Sequence, residues 1–115
     1  MVTLQKTLRK NRFTYQQEYR ELHAASGKSI AIYSRRDGEF TPALDYEVFI
    51  IPVRKHDITT PSGIVIPAGE KFPGNEEFAT TVKAAAVADL ATAHKKLNEF
   101  KKYLDDKISE ATANS

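Results

Sequence analysis

Ser26-Gly27-Lys28-Ser29 is the first stretch whose residue types could do chemistry. Gly-Lys-Ser ends a phosphate-binding loop, in which backbone N–H groups at a helix start cradle phosphate and the lysine adds charge. That signature needs a glycine five residues ahead of Gly27, where this chain has Leu22, and a helix behind it. Here Ser29-Ile30-Ala31-Ile32-Tyr33-Ser34 follows, a β-branched run that reads as a strand. The segment is therefore read as a hairpin turn, and a small nucleotide binder or enzyme ranks third among the functional readings.

The other reactive side chains are scattered. His23, His56 and His94 have neither the i, i+4 spacing of a metal pair nor a nucleophile motif around them, and they read as exposed residues at element ends. Glu18, Glu21, Asp45, Glu47 and Glu70 could supply an acid–base pair, but no spacing couples two of them. The chain has no cysteine, which excludes disulfides and thiol chemistry and suits a reducing compartment. No residue is assigned a catalytic or metal role, no cofactor is expected, and the chain is read as non-enzymatic.

The strongest candidate surface is basic and aromatic. In an antiparallel meander, the end of a strand at 44–56 lies near the start of the strand at 29–35, bringing Arg54, Lys55 and His56 toward Lys28. Tyr15, Tyr19 and Tyr33 lie on neighbouring strands. Aromatics on an open sheet face, ringed by cations, stack bases and hold phosphates. The competing reading packs the tyrosines into the core and leaves the charges solvated. Net charge is only +2, but residues 1–40 carry eight Lys/Arg against four Asp/Glu, so the positive charge is concentrated early.

These side chains need a scaffold, and 115 residues suffice for one domain with a core. With 41% hydrophobic and 28% charged residues, the composition is that of a folded globular chain. The first ten residues lack the apolar stretch of a signal peptide, and no apolar run could span a bilayer, so a cytoplasmic location without membrane contact is expected.

The scaffold centres on Tyr46-Glu47-Val48-Phe49-Ile50-Ile51-Pro52-Val53. Tyr46, Val48 and Ile50 alternate with Phe49, Ile51 and Val53, so both faces are apolar and both need cover, as in a central strand. Pro52 cannot donate to a ladder, so it marks a bulge or the point where one neighbour has ended. Residues 2–10 form an edge strand or a frayed arm, broken at Asn11. Alternation over 12–22 places Phe13, Tyr15, Gln17 and Tyr19 on one face of a further strand. Asp37-Gly38 marks a turn. Strands at 58–60 and 64–66 flank Pro61-Ser62-Gly63 as a small hairpin, 67–75 is loop, and another strand is expected at 78–86. From Asp89, a plausible N-cap, Leu90, Ala93, Leu97, Phe100, Leu104 and Ile108 recur at helical spacing, giving a helix over 89–109 and a frayed tail at 110–115. The fold class is α+β: an antiparallel meander of about four to six strands with one long C-terminal helix packed on it. The helical stripe also suits a two-fold helix pair, which keeps a homodimer open.

The order of Phe13-Thr14-Tyr15, Ile30-Ala31-Ile32-Tyr33, Tyr46–Ile51, Pro61-Ser62-Gly63, Pro67-Ala68-Gly69-Glu70, Phe72-Pro73-Gly74-Asn75-Glu76-Glu77-Phe78 and the helix opening Asp89-Leu90 resembles a group of small proteins of bacteriophages and other mobile elements, most without assigned function. The resemblance covers roughly residues 6–104. Where that group has an aromatic segment after the Asn-Glu turn, this chain has the Ala-rich stretch Thr80–Ala86. The resemblance implies an accessory protein in a bacterial host cytoplasm that binds and modulates a host protein, as an anti-defence or host-takeover factor does. It carries no catalytic residues across. Nucleic-acid binding through Lys28, Arg54, Lys55, His56 and the tyrosines is the second reading.

Overall fold

The structure, a computed structural model, describes residues 3–38, 42–70, 72 and 83–113. Among them seven strands precede one helix: β1 (Thr7–Lys10), β2 (Phe13–His23), β3 (Lys28–Asp37), β4 (Asp45–Pro52), β5 (Ile58–Thr59), β6 (Val65–Ile66), β7 (Ala84–Val87) and α1 (Leu90–Ala113). Five of the strands form one antiparallel sheet in the order β1-β2-β3-β4-β7, and β5 pairs with β6 alone. Helix α1 crosses one face of the large sheet. The fold is the expected α+β arrangement.

Local chemistry explains the meander. Lys10 pairs with Phe13 across a two-residue turn, and Asn11 takes the left-handed φ of 59° that Asn tolerates better than most residues. Gly27, at φ 69°, closes the next turn by donating its N–H to the His23 carbonyl at 2.9 Å. The ladder from β2 to β3 then runs in simple register except at one point. Gln17 faces Tyr33, but Tyr19 faces Ile32, so Glu18 is the extra residue of a bulge.

That bulge corrects the alternation read from 12–22. Phe13, Tyr15 and Gln17 share one face, but Tyr19 is turned to the other, where it packs with the helix-side core. Arg20 takes the place on the first face that strict alternation would have given to Tyr19.

The central strand is shorter than the expected 44–56. It pairs with β3 from Asp45 to Pro52 and with β7 from Tyr46 to Phe49. The Ile50 N–H still reaches the Lys83 carbonyl at 2.9 Å. Donors alternate between the two sides of an antiparallel strand, so the nitrogen of Pro52 points to the β7 side, beyond the last of those bonds. Among the described residues, no β7 carbonyl faces the Pro52 nitrogen. Residues 53–56 leave the sheet, and Arg54 instead exchanges backbone bonds with Gly69 at 2.9 and 2.8 Å.

Both faces of β4 are covered. On one, Ile30, Ile32, Val48 and Ile50 meet Ala93, Leu97, Phe100 and Leu104 of α1, with Leu90 half-buried beside them. Ala93 is fully buried, and its small side chain lets the helix backbone come close to the sheet. The stripe from Leu90 to Leu104 packs on the sheet, and Ile108, further along, is half-buried. On the other face, Tyr15, Ala31, Tyr33, Phe49 and Ile51 are buried with Leu4 from the N-terminal segment and Phe72 from the loop after β6. The Phe72 ring lies 5.0, 5.0 and 5.3 Å from those of Tyr15, Tyr33 and Phe49.

At the far end, the described part of the expected 78–86 strand is β7, and residues 78–82 lie outside the described residues. Asp89 caps α1, its carboxylate accepting from the Thr92 N–H at 2.7 Å. The helix runs on to Ala113, into the stretch expected to fray. None of the helix is apolar enough to cross a membrane.

Candidate functional site

The expected basic and aromatic surface divides into parts that do different jobs. Tyr33 is fully buried and Tyr15 is 5% exposed, so neither presents a ring to a base. The bulge puts Tyr19 on the opposite face, half-buried, its ring 5.8 Å from that of His94. The open tyrosine platform is therefore corrected: its rings pack the core because both sheet faces are covered. Burial raises the hydroxyl pKa of Tyr15 and of Tyr33. Tyr33 donates its hydroxyl proton to the Gln5 carbonyl at 2.5 Å and accepts from Gln17 Nε2 at 3.0 Å.

The register does place Lys28 opposite Pro52 and beside His23. Arg54 lies past that row with its backbone tied to Gly69, while Lys55 and His56 are exposed.

Among the carboxylates of the described residues, Glu70 is the one the fold encloses. It is 5% exposed and accepts from Arg20 Nε at 2.8 Å, Arg20 Nη2 at 2.6 Å, the Leu4 N–H at 3.0 Å and the Ser29 hydroxyl. Burial pushes its pKa up, but the hydrogen bonds from Arg20, Ser29 and Leu4 outweigh burial and hold it below the ordinary range. A carboxylate so fully satisfied is a clamp between the N-terminal segment, β2, β3 and the loop after β6, not a free base. Glu47 is the opposite case. Burial first, and then Asp45, raise its pKa, and Arg35 and Lys10 offset them only in part. Arg35 itself forks onto Asp45 at 2.9 and 2.7 Å and lies 4.4 Å from the Phe13 ring.

One constellation has the form of a nucleophile relay. Ser26 Oγ is 2.8 Å from His23 Nδ1, and His23 Nε2 is 2.7 Å from Asp105 Oδ1. So His23 is not the exposed residue at an element end that its position implied. The contacts around this triad are shared with the turn and with solvent. Asp105 is 67% exposed, so water screens its charge, and Ser26 Oγ is also 3.2 Å from the His23 carbonyl and accepts from the Lys28 N–H. These contacts lock the β2–β3 turn onto α1. His56 and His94 are exposed, and the described residues contain no group of acids and histidines able to hold a metal.

The most distinctive exposed feature is the β5–β6 hairpin, which stands outside the large sheet. Its tip is hydrogen-bonded: Thr60 N–H bonds the Ile64 carbonyl at 2.8 Å, Gly63 N–H bonds the Thr60 carbonyl at 2.9 Å, and Thr60 Oγ1 accepts from the Ile64 N–H at 3.1 Å. Its base is closed by the Arg54–Gly69 bridge and by Asp57 accepting from the Ala68 N–H at 2.7 Å. Yet Ile58, Ile64 and Val65 are 47, 63 and 58% exposed. Ile58 pairs with Ile66, and alternation puts Ile64 on the same face. That face leads to a concavity of about 320 Å³ lined by Leu4, Ile66, Pro67, Glu70 and Phe72 among others. Sequence reading found the hairpin but not its exposure, because β-branched runs look alike whether or not something packs on them.

No family model, no curated protein and no solved structure matches this chain.

Proposed function

We propose that this chain is a non-enzymatic protein-binding module, and that the β5–β6 hairpin with the concavity at its base is what it binds with. The observation that carries the reading is three aliphatic side chains held in the open on a hairpin whose tip and base are both hydrogen-bonded. Exposed aliphatics on a pre-ordered arm favour association, because apolar area leaves water while little chain entropy remains to be lost. The partner chemistry that fits is an apolar protein segment, able to lie against Ile58 and Ile64 and insert a side chain beside Leu4 and Phe72. The resemblance to mobile-element accessory proteins makes a bacterial host protein the partner, with modulation of its activity as the outcome.

Affinity capture from bacterial lysate tests this, with the wild type run beside Ile58→Lys and Ile64→Lys. A protein retained by the wild type and lost from both variants is the expected result. Identical retention by all three, or none by the wild type, defeats the reading.

A further inference from the structure

The β5–β6 arm is a ribbon of two strands that pair only with each other among the described residues. Two strands alone are marginal in water, and a third laid along one side adds backbone bonds and apolar cover together. What each side offers follows from the register. Thr60 faces Ile64, its N–H donating to the Ile64 carbonyl at 2.8 Å, so these two form a hydrogen-bonded pair. Bonded and non-bonded pairs alternate along an antiparallel ladder, so Thr59 and Val65, the next pair, are non-bonded. The N–H and C=O of Val65 therefore point out of the ribbon on the free side of β6. Those of Thr59 point out on the free side of β5.

The two sides lead to different surroundings. Val65 is 58% exposed and Ile64 beside it 63%. Beyond them, Ile66 and Pro67 line the concavity of about 320 Å³ together with Leu4 and Phe72. A chain laid along β6 thus meets an exposed isoleucine, a backbone donor and acceptor, and a recess for one side chain. A chain laid along β5 runs instead past Asp57, His56 and Lys55, all polar and exposed.

Pro67 limits the reach of such pairing. It stands two residues after Val65, on the same side by alternation, and has no N–H to give. Pairing along β6 is confined to a short segment, and a proline at an edge discourages open-ended stacking of copies.

We propose that the arm binds by strand addition: a short extended segment of another protein, with alternating apolar side chains, pairs with Val65 along the free side of β6. The segment exchanges backbone hydrogen bonds with the Val65 N–H and C=O. One set of its side chains covers Ile64 and Ile66, and one of that set enters the concavity beside Leu4 and Phe72. The main-chain bonds set the register, and the recess selects the side chain. The inference rests on the arm being the binding element and specifies how it binds.

Amide exchange, read by NMR on the isotope-labelled full chain with a short capped peptide alternating valine and threonine, tests the proposal. The peptide slows exchange of the Val65 N–H about tenfold or more and leaves that of Thr59 within about twofold. Val65→Pro removes the outward N–H without breaking a bond inside the ribbon, and weakens the peptide about tenfold. Val65→Ala, which keeps the N–H, binds within about twofold of wild type. A thermal melt verifies the folding of Val65→Pro, and the exchange measurement on the wild type stands without it. Undiminished binding by folded Val65→Pro, protection at Thr59 instead of Val65, or no binding at millimolar peptide overturns strand addition at β6. Partner capture from lysate separates the two readings. If Ile58→Lys and Ile64→Lys still abolish capture, strand addition alone has failed; if they leave it unchanged, the arm has failed with it.

Discussion

Arg20 grips Glu70 with two nitrogens, Nε at 2.8 Å and Nη2 at 2.6 Å, across fifty residues of sequence. Arg20 reaches it only because the bulge at Glu18 turns its side chain to the face where the loop after β6 folds over. Glu70 also takes the Leu4 N–H, so one carboxylate pins the N-terminal segment and the loop that carries Phe72. Glu70→Gln leaves the guanidinium facing a neutral amide that cannot accept from it with both oxygens. The pair is part-buried on the Arg20 side, so breaking it costs less than the roughly 3–5 kcal/mol of a fully buried pair. Urea denaturation of Glu70→Gln and Arg20→Met checks this, and a loss below about 1 kcal/mol in both would show that the clamp is not needed.

The same clamp sets an acid limit. Glu70 is held below its ordinary value of 4.5. Between that value and the lower folded one, the unfolded chain binds more protons than the folded chain, so stability falls as pH falls. The contribution is complete above about pH 5 and disappears as pH drops through the folded pKa. Thermal melts from pH 6 to pH 2 therefore show wild type and Glu70→Gln converging in acid. Parallel curves down to pH 2 contradict the assignment.

Glu47 gives a response of opposite sign. Its folded pKa lies above 4.5, chiefly because burial disfavours the charged form. Above its folded pKa the chain bears the cost of keeping that carboxylate ionised, so Glu47→Gln raises the melting temperature at pH 7. The gain vanishes near pH 4, where the wild-type carboxyl is protonated in both states. A melting temperature at pH 7 lower than wild type would mean that Arg35 and Lys10 outweigh burial.

These two carboxylates mark the boundary of what the sequence revealed. Period-2 alternation at Phe13–Gln17 and the stripe from Leu90 to Leu104 were readable because burial repeats within a few residues. The two-sided need for cover at Val48–Ile51 was readable for the same reason. Which of Glu47 and Glu70 would be clamped was not, since a partner fifty residues away leaves no local pattern. Nor was the bulge, which inserts one residue without changing composition and so reverses the faces of Tyr19 and Arg20.

The helix–sheet contact sets a larger stability effect than any surface change. Leu97 is 3% exposed, wedged between α1 and the β3–β4 isoleucines and valine. Leu97→Ala removes that burial and leaves a void, at a cost of about 2–5 kcal/mol. Guanidinium denaturation reads this directly. A loss under about 1 kcal/mol would mean that α1 is not seated as described.

The hairpin arm is the converse case. Ile64 is 63% exposed and its N–H is bonded to Thr60 Oγ1 whatever its side chain is. Ile64→Lys therefore changes stability by no more than about 0.5 kcal/mol, since the side chain leaves no core contact behind. It does place a charge on an apolar arm, so any association that buries the Ile58 and Ile64 face must desolvate an ammonium group. A variant with the wild-type melting temperature and lost partner capture separates recognition from folding. One that unfolds alongside Leu97→Ala would place Ile64 in the core and remove the arm from consideration as a docking element.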